Sequence, residues 1–334
     1  MIKFGYKASA EQFSPSDLLR FGGIAEEVGF DSVFISDHFQ PWRHTGGHAP
    51  FSLAWLGAFG ARTSRITLGT SVLTPTFRYH PSIVAQAFAT LGCLYPGRVV
   101  LGIGSGESLN EVPSTGMVWP EFKERLGRLK EAIELMRQLW SNERVTFSGQ
   151  FYKTENATIY DRPETPVPIF VSAHGAIMAR FVGRTADGFI CTSGKAPEFY
   201  NETLLPNLAQ GLGNANRSSD DIERMIEMKV SFDTDASRAL EDTRFWAALA
   251  LGQDEKLSVE DPLHMEQLAA ALPIERIASR WIVSSEPHEQ VERIRPYVAM
   301  GFNHLVFHAP GADQERFLRL YAAEVMPLLR KAFA

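Results

Sequence analysis

A short segment near the N-terminus concentrates side chains that could do chemistry. In "SDHFQPWRHTGGHAP", residues 36–50, one carboxylate, three histidines, a tryptophan and an arginine lie close together. The segment follows "DSVFI", an apolar run typical of a buried strand. Because polar groups that follow a buried strand commonly face a binding or catalytic site, we expect Asp37, His38 and Trp42 to belong to one.

The combination of His38 with glutamates after other apolar runs indicates proton-coupled chemistry at a carbon–oxygen bond. Glu107 and Asn110 follow "RVVLGIGSG", and Glu11 follows "IKFGYKASA". An imidazole titrates near neutral pH and can take a hydroxyl proton, while a carboxyl group can return a proton elsewhere. His38 and Glu107 are therefore the predicted base and acid.

Three cations are candidates for binding a phosphate. They are Lys195 in "CTSGK", Lys256 in "DEKLSVEDP" and Arg280 in "SRWIV". An arginine offers two parallel donors and a lysine offers a compact charge, so a small cluster of them suits a phosphoryl group. Taken singly, each is by default a surface cation, and only Lys195, after a glycine-containing strand end, stands out unaided.

Two other kinds of site are weakly indicated. "GIGSGES" looks like a dinucleotide fingerprint, but the third glycine is misplaced and the segment follows the fourth strand instead of the first. His44 and His48 have helical metal-ligand spacing without a glutamate between them, so we expect no metal site. His304 and His308 flank the last predicted strand and are expected to be structural.

Composition limits the class of protein. The 334 residues are 45% hydrophobic and 22% charged, and the formal net charge of -6 argues against a general nucleic-acid partner. Cys93 and Cys191 have no metal-ligand spacing and are expected to be free thiols in a reducing compartment. No signal-peptide pattern or membrane-spanning run is present, so we expect a cytoplasmic protein without a membrane partner.

Strand candidates alternate along the chain with helical patterns, which predicts a (β/α)8 TIM barrel. We expect one domain, residues 1–334, with helical insertions. The longest insertion, at about 235–285, precedes the last strand and is expected to contribute to the substrate pocket. In such barrels the site forms at the carboxyl ends of the strands. The eight candidates are "IKFGY", "DSVFIS", "ITLGTSVL", "RVVLGIGSG", "VPIFVSA", "DGFICTS", "EMKVSFD" and "HLVFHAP".

Several of these segments together resemble the F420-dependent glucose-6-phosphate dehydrogenases, a group within the luciferase-like family of barrel enzymes. The likeness covers essentially the whole chain. The segments that carry it are "GYKASAEQF", "SDHFQPWRHTGGHAPFSLAW", "LGTSVLTPTFRYHPSIVAQAFATLGCLYP", "GSGESLNE", "DGFICTSGK" and "GFNHLVFHAPG".

The resemblance implies hydride transfer from C1 of glucose 6-phosphate to C5 of the deazaflavin coenzyme F420, which yields 6-phosphogluconolactone. It implies that His38 takes the C1 hydroxyl proton and that Asp37 holds that imidazole and contacts the deazaflavin. It also implies that Trp42 steadies the reacting centre, that Glu107 serves as the acid towards the deazaflavin, and that Glu11 positions the His38 side of the pocket.

The resemblance also assigns binding residues. The sugar phosphate would lie on Lys195, Lys256 and Arg280, with Thr192 beside them. A cis peptide bond is implied between Ser71 and Val72, and a homodimer is implied for the assembly. Where the family has paired glycines, this chain has His174 and Gly175, which puts the binding of the coenzyme tail in question. The implied coenzyme contacts are Asp37, Ser71, Val72, Thr74, Ser105, Gly106, Asn110, His174 and Gly175.

Three alternatives stay open. The same mechanism could serve a broader range of hexose 6-phosphates, such as those of mannose or fructose. An FMN-dependent luciferase-like monooxygenase is a second possibility, although three phosphate-directed cations argue against the apolar substrates typical of that class. A non-catalytic coenzyme-binding protein is a third, and it would leave His38, Glu107 and the cations without a task.

Overall fold

The structure is a computed structural model, and it describes residues 2–252, 255 and 259–333. Lys256, one of the three predicted phosphate ligands, lies outside the described residues. Within the described ranges, no helix combines the length and the apolar character that a bilayer span requires.

Parallel strands close into a barrel. In the described chain the order around the sheet is β10-β9-β11-β1-β2-β3-β4-β7-β8, and the additional pairing of β8 with β9 joins its two sides. The predicted (β/α)8 barrel is thereby confirmed, with all eight predicted strands in its wall. The strands are β1 (Lys3–Ala8), β2 (Ser32–Ile35), β3 (Thr67–Thr70), β4 (Val99–Ile103), β5 (Val145–Ser148), β6 (Lys153–Ala157), β7 (Ile169–Ser172), β8 (Gly188–Thr192), β9 (Glu223–Phe232), β10 (Ile282–Ser284) and β11 (His304–His308).

Helices cover the outside of the barrel, and the described helices between Ala236 and Ala278 lie between β9 and β10. Short π-helical or 3₁₀ segments lie at Phe199–Leu204, Ser219–Asp221, Asp242–Ala250 and Tyr321–Val325. The α-helices are α1 (Pro15–Glu27), α2 (Ser52–Arg62), α3 (Pro81–Leu94), α4 (Ser108–Thr115), α5 (Phe122–Ser141), α6 (Ala176–Thr185), α7 (Leu205–Gly213), α8 (Ala236–Glu241), α9 (Pro262–Ala270), α10 (Ile274–Ala278), α11 (Pro287–Ala299), α12 (Gln314–Leu320) and α13 (Met326–Ala332).

Two features of the sheet differ from the sequence-based expectation. β5 and β6 form an antiparallel hairpin between α5 and β7, where no strand is predicted. "WIV", expected to belong to inserted helices, instead contributes β10, which pairs in parallel with the carboxyl end of β9. The three residues of β10 are too few for a periodic signal, so the pattern could not separate them from the helices before them.

The barrel interior changes from apolar to polar along its axis. Because alternate residues of a barrel strand point inward, Met225, Glu227 and Lys229 of β9 lie at successive depths. A buried apolar layer therefore closes the interior beneath the polar residues at the carboxyl ends. It consists of Phe34, Val100, Phe170, Ile190, Met225 and Val306, with Val72 packed against it.

At the opposite end of the barrel, His304 joins neighbouring strands. Its Nε2 lies 2.6 Å from Ser32 Oγ, and its Nδ1 lies 2.5 Å from Glu223 Oε1. The Lys3 ammonium donates to the other oxygen of the same carboxylate at 2.6 Å. These contacts connect β1, β2, β9 and β11, which fits the structural role expected of His304.

Candidate active site

A cavity of about 380 Å³ opens at the carboxyl ends of the barrel strands. Every residue predicted to bind or react lines it, apart from Gly175 and the undescribed Lys256. Its lining comprises Lys7, Glu11, Ser36, Asp37, His38, Trp42, Ser71, Val72, Thr74, Gly104, Ser105, Gly106, Glu107, Asn110, Ser172, His174, Ile190, Thr192, Lys195, Glu227, Lys229, Trp246, Leu249, Arg280 and His308.

The imidazole of His38 lies between two carboxylates. Its Nε2 is 3.2 Å from Glu11 Oε1 and 3.9 Å from Glu107 Oε2. Its Nδ1 lies 3.1 Å from the carbonyl oxygen of Gln40, which can only accept a hydrogen bond. Nε2 faces the Glu11 carboxylate, which also only accepts, so the protonated ring can donate from both nitrogens; in the neutral form with its proton on Nδ1, Nε2 is the nitrogen that takes a proton.

Glu11 is buried and ionised. Burial acts to raise the pKa of this carboxyl, but His38, Lys7 and a hydrogen bond from Ser36 together outweigh burial and lower the pKa below its ordinary value. The Ser36 hydroxyl donates to Glu11 Oε2 at 2.6 Å. A negative charge held 3.2 Å from Nε2 stabilises the imidazolium that forms when His38 accepts a proton.

Asn110 fixes the loop that carries His38. Its Oδ1 accepts hydrogen bonds from the amides of Phe39 and Gln40, at 2.9 and 3.2 Å. This assignment leaves Nδ2 to donate to Glu107 Oε2 at 3.4 Å, and Nδ2 also lies 3.3 Å from His38 Nδ1. Asn110 thus joins the start of α4 to the catalytic loop, in addition to lining the cavity.

The expectation that Asp37 holds the His38 imidazole is wrong. Its carboxylate instead accepts from the Ser52 hydroxyl at 2.6 Å, from Tyr79 at 3.0 Å and from Arg78 at 3.0 Å. Arg78 in turn binds the buried Glu111 at 3.2 Å. The sequence alone does not show whether Asp37 or Glu11 contacts His38. Adjacent residues at a strand end point in different directions, so Asp37 need not face the imidazole next to it in the chain.

The aromatic ring of Trp42 lies against the candidate base. The ring centroids of Trp42 and His38 are 5.9 Å apart and inclined at 52°. The indole therefore borders the same part of the cavity as Nε2, as the sequence predicts.

One side of the cavity is lined by the segments that follow β3 and β4. The predicted cis peptide between Ser71 and Val72 is present. A side chain at Gly104 would place its Cβ 2.9 Å from Val72, and one at Gly106, where φ is +91°, would place its Cβ 2.9 Å from Trp119. Because neighbouring side chains leave no room for a Cβ at either glycine, the backbone itself lines this part of the cavity, beside Ser71, Val72 and Thr74. A ligand can approach such a backbone closely, so the residues present fit the deazaflavin that the sequence resemblance implies.

Two of the cations predicted to bind phosphate lie close together, Lys195 after the carboxyl end of β8 and Arg280 just before β10. Gly194 has a φ of +79°, and an added Cβ would lie 2.7 Å from the carbonyl oxygen of Arg280. This close approach brings Lys195 beside Arg280. Burial first, and then the charge of Arg280, lower the pKa of Lys195 below its ordinary value. Two like charges held near each other and partly withdrawn from water favour an anionic ligand.

Four titratable residues of the cavity have no counterpart among the sequence-based site predictions, namely Lys7, Glu227, Lys229 and His308. Glu227 accepts from Lys7 at 3.2 Å and lies 3.3 Å from His308 Nδ1, so His308, expected to be structural, borders the site. Lys229 follows on the same strand. The signal that could have found Glu227 and Lys229 is two inward-facing charges in the apolar run "MIEMKVSF", since a buried strand rarely carries charges without a function.

The segment after β7 is the least regular part of the predicted coenzyme side. His174 lines the cavity and is exposed to solvent, whereas Gly175 precedes α6 and does not line it. The backbone at Gly175 is extended, with φ -176°, so a side chain is compatible with this conformation.

Comparison with known sequences places the chain in a family. The profile described as luciferase-like monooxygenase matches residues 1–304. A relative from Nakamurella multipartita is 64% identical over 98% of this chain and 97% of its own length, and one from Microbacterium testaceum is 61% identical over 100% and 99%. Both relatives are named F420-dependent glucose-6-phosphate dehydrogenase.

Solved structures agree with this placement. An F420-dependent secondary alcohol dehydrogenase, solved with an F420–acetone adduct, superposes with a TM-score of 0.92 at 32% identity, covering 98% of this chain and 99% of that one. The coenzyme F420-dependent tetrahydromethanopterin reductase from Methanopyrus kandleri shares the fold, with a TM-score of 0.82 at 22% identity and coverages of 98% and 99%. The chain belongs to the luciferase-like monooxygenase family and, within it, to the group of F420-dependent glucose-6-phosphate dehydrogenases.

Proposed function

We propose that this protein oxidises glucose 6-phosphate at C1 with coenzyme F420 and so yields 6-phosphogluconolactone and reduced F420. The observation that carries the assignment is one cavity that contains both a proton acceptor beside a carboxylate and a cation cluster. β2 and β8 are four strands apart in either direction around the barrel. His38 and Lys195, which follow them, therefore approach the cavity from opposite sides.

His38 acts as the base in this scheme. With its proton on Nδ1, it takes the proton of the C1 hydroxyl at Nε2, and Glu11 stabilises the charge that results. Glu107 faces the same nitrogen from the other side, and its side chain is half exposed, which suits a group that exchanges protons with solvent. Trp42 covers the reacting centre beside His38.

Binding of the phosphoryl group on the side of the cavity opposite His38 aligns the sugar. Lys195 and Arg280 hold the phosphoryl group, Thr192 supports the same wall, and Lys256 is retained as a proposed third ligand. Binding energy from a remote phosphate can enforce the alignment of C1 with its acceptor.

When bound, F420 supplies C5 as a two-electron hydride acceptor. The residues proposed to hold F420 lie in the segments that follow β2, β3, β4 and β7. They are Asp37, Ser71, Val72, Thr74, Ser105, Gly106, Asn110, His174 and Gly175.

Two alternative functions are supported by the site to different degrees. A broader hexose 6-phosphate specificity keeps every role above and depends only on the groups around the sugar ring. An FMN-dependent monooxygenase is disfavoured because the cation cluster suits an anion better than an apolar substrate. We further propose that residues 1–334 form a single domain, with the insertion at about 235–285 contributing to the pocket, and that the protein is a cytoplasmic homodimer.

The direct test mixes the purified protein with oxidised F420 and a panel of substrates, and follows the loss of deazaflavin absorbance. Glucose 6-phosphate should reduce the coenzyme, while glucose should react far more weakly, because it lacks the group that the cations bind. The 6-phosphates of mannose and fructose measure how strictly the sugar ring is read. Reduction by glucose but not by its 6-phosphate would overturn the proposed clamp.

A further inference from the structure

Lys229 is a buried cation that the predicted roles leave unused. Its side chain is 5% exposed and lines the active cavity. It is the inward-facing residue next after Glu227 on β9, and it pairs in register with His308 of β11. Its backbone amide donates to Ser193 Oγ at 2.8 Å, which fixes the strand end beside β8.

The Lys229 ammonium has no close acceptor in the described part of the chain. Its Nζ lies 3.9 Å from the carboxylate oxygen Oε1 of Glu227, a distance longer than a hydrogen bond. An ammonium has three donors, and burying a charged group without partners is costly. A ligand that enters the cavity can supply the missing acceptors.

Glu227 does not remove the need for such a ligand. Lys7 lies 3.2 Å from this carboxylate and His308 Nδ1 lies 3.3 Å from it, so the carboxylate already has nearer partners than Lys229. Burial acts to raise the pKa of Glu227, but the surrounding cations outweigh burial and hold the pKa well below its ordinary value. Lys229, Lys195 and Arg280 together therefore carry more positive charge than this one carboxylate balances.

We propose that Lys229 binds the phosphoryl group of the substrate together with Lys195 and Arg280. This role rests on the proposed dehydrogenase activity and extends its phosphate site by a cation from the barrel interior. Lys195 lies in the segment after β8 and Arg280 in the segment before β10, whereas Lys229 belongs to a barrel strand.

Electrostatics of the free protein support this role. Burial first, and then the neighbouring cations, lower the pKa of Lys229 to about 8, while Glu227 acts to raise it. A bound dianion favours the protonated ammonium, so binding and protonation are linked. The groups that face Lys229 from the surrounding elements are Glu227, Arg280, Lys195, Lys7, His308, His174 and Cys191.

The sign of the linkage gives a measurable pH dependence. Below about pH 8 Lys229 is charged in the free protein, and the substrate meets a complete cation cluster. As the pH rises above about 8, the free protein loses this charge, so the KM for glucose 6-phosphate should rise. Removing the ammonium should remove that rise.

The experiment compares Lys229→Met with wild type and with Lys229→Arg. Loss of a charge-assisted hydrogen bond should raise the KM for glucose 6-phosphate by about 10–100-fold, with a much smaller effect on kcat. K229R should recover part of the affinity. The matched control is Lys153→Met, which removes the same charge from an exposed position on β6 and should leave the KM unchanged.

A second measurement does not depend on turnover. Inorganic phosphate should raise the Tm of the coenzyme-free wild-type protein and of K153M, and should raise that of K229M much less. Should K229M not fold, Lys229→Gln, which keeps a polar end, carries the same comparisons.

The possible outcomes distinguish the proposed role of Lys229 from the proposed dehydrogenase activity. An unchanged KM and an unchanged phosphate shift in K229M would overturn the role of Lys229, and so would a loss confined to kcat. If wild type does not turn over glucose 6-phosphate but its phosphate shift is lost in K229M, the dehydrogenase activity fails while the anion site stands.

Discussion

At the scale of single residues, the chemistry depends on the surroundings of His38 Nε2. Nδ1 lies against a carbonyl oxygen, and the ionised Glu11 lies beside Nε2, the nitrogen proposed to take the proton. The arrangement resembles the general device in which a carboxylate stabilises a histidine as it becomes charged. Here the carboxylate comes from the segment after β1, and not from the neighbouring Asp37.

His38→Ala should lower kcat by about 10²–10⁴-fold, because the C1 hydroxyl then loses its proton acceptor. The affinity for F420 should change little, since the coenzyme-binding residues are proposed to lie mainly on other strand ends. Steady-state kinetics and a direct titration of F420 measure the two effects. His264→Ala, at an exposed position, is the control and should behave as wild type. Wild-type turnover of H38A would remove His38 from the mechanism.

Residue-level sequence reasoning identified residues that line the cavity where a polar side chain follows a strand, as with His38, Glu107 and Lys195. It failed for Glu227 and Lys229, which lie within a strand, because a charge inside an apolar run can face either the interior or solvent. It also missed Arg78, whose partners Asp37 and Glu111 are distant in the chain. Such pairs become visible only once the fold brings them together.

At the scale of elements, short strands are held in register by contacts at both ends of the barrel. The periodicity of eight runs was sufficient to predict the barrel wall, while β10 and the hairpin of β5 and β6 are too short or too exposed to give a clear pattern. At the amino end, Glu223 of β9 binds His304 of β11 and Lys3 of β1. This group of contacts should stabilise the closure of the barrel.

Glu223→Gln should lower the free energy of unfolding at pH 7 by about 1–3 kcal/mol, because hydrogen bonds to a charged acceptor become bonds to a neutral one. Burial acts to raise the pKa of Glu223, but His304 and Lys3 outweigh burial and lower it to about 2. The contribution is therefore complete above about pH 4.5 and is lost as the pH falls towards 2.

Denaturant unfolding at several pH values tests this. Between pH 5 and 3, the stability of wild type should fall more steeply than that of E223Q. Glu292→Gln removes a carboxylate from an exposed ion pair with Arg295 and should unfold as wild type does. Parallel pH profiles for wild type and E223Q would show that Glu223 does not contribute in this way.

At the scale of the whole molecule, different segments of the barrel rim are proposed to have different functions. In the proposed scheme the polar residues after β1 and β2 handle protons, the segments after β3 and β4 border the coenzyme, and positive charge comes from the end of β8, from β9 and from the segment before β10. An eight-stranded barrel brings these segments to one cavity although they are far apart in the chain. That convergence follows from topology, which is why the barrel prediction was enough to place most of the site.

The central claim is the direct transfer of hydrogen from C1 of the sugar to the coenzyme, and it can be measured with glucose 6-phosphate that carries deuterium at C1. After a single round of turnover in ordinary water, mass spectrometry and proton NMR of the reduced F420 should locate one deuterium at C5. Reduced F420 that contains only solvent hydrogen would contradict direct transfer between the two carbons and, with it, the mechanism assigned to this site.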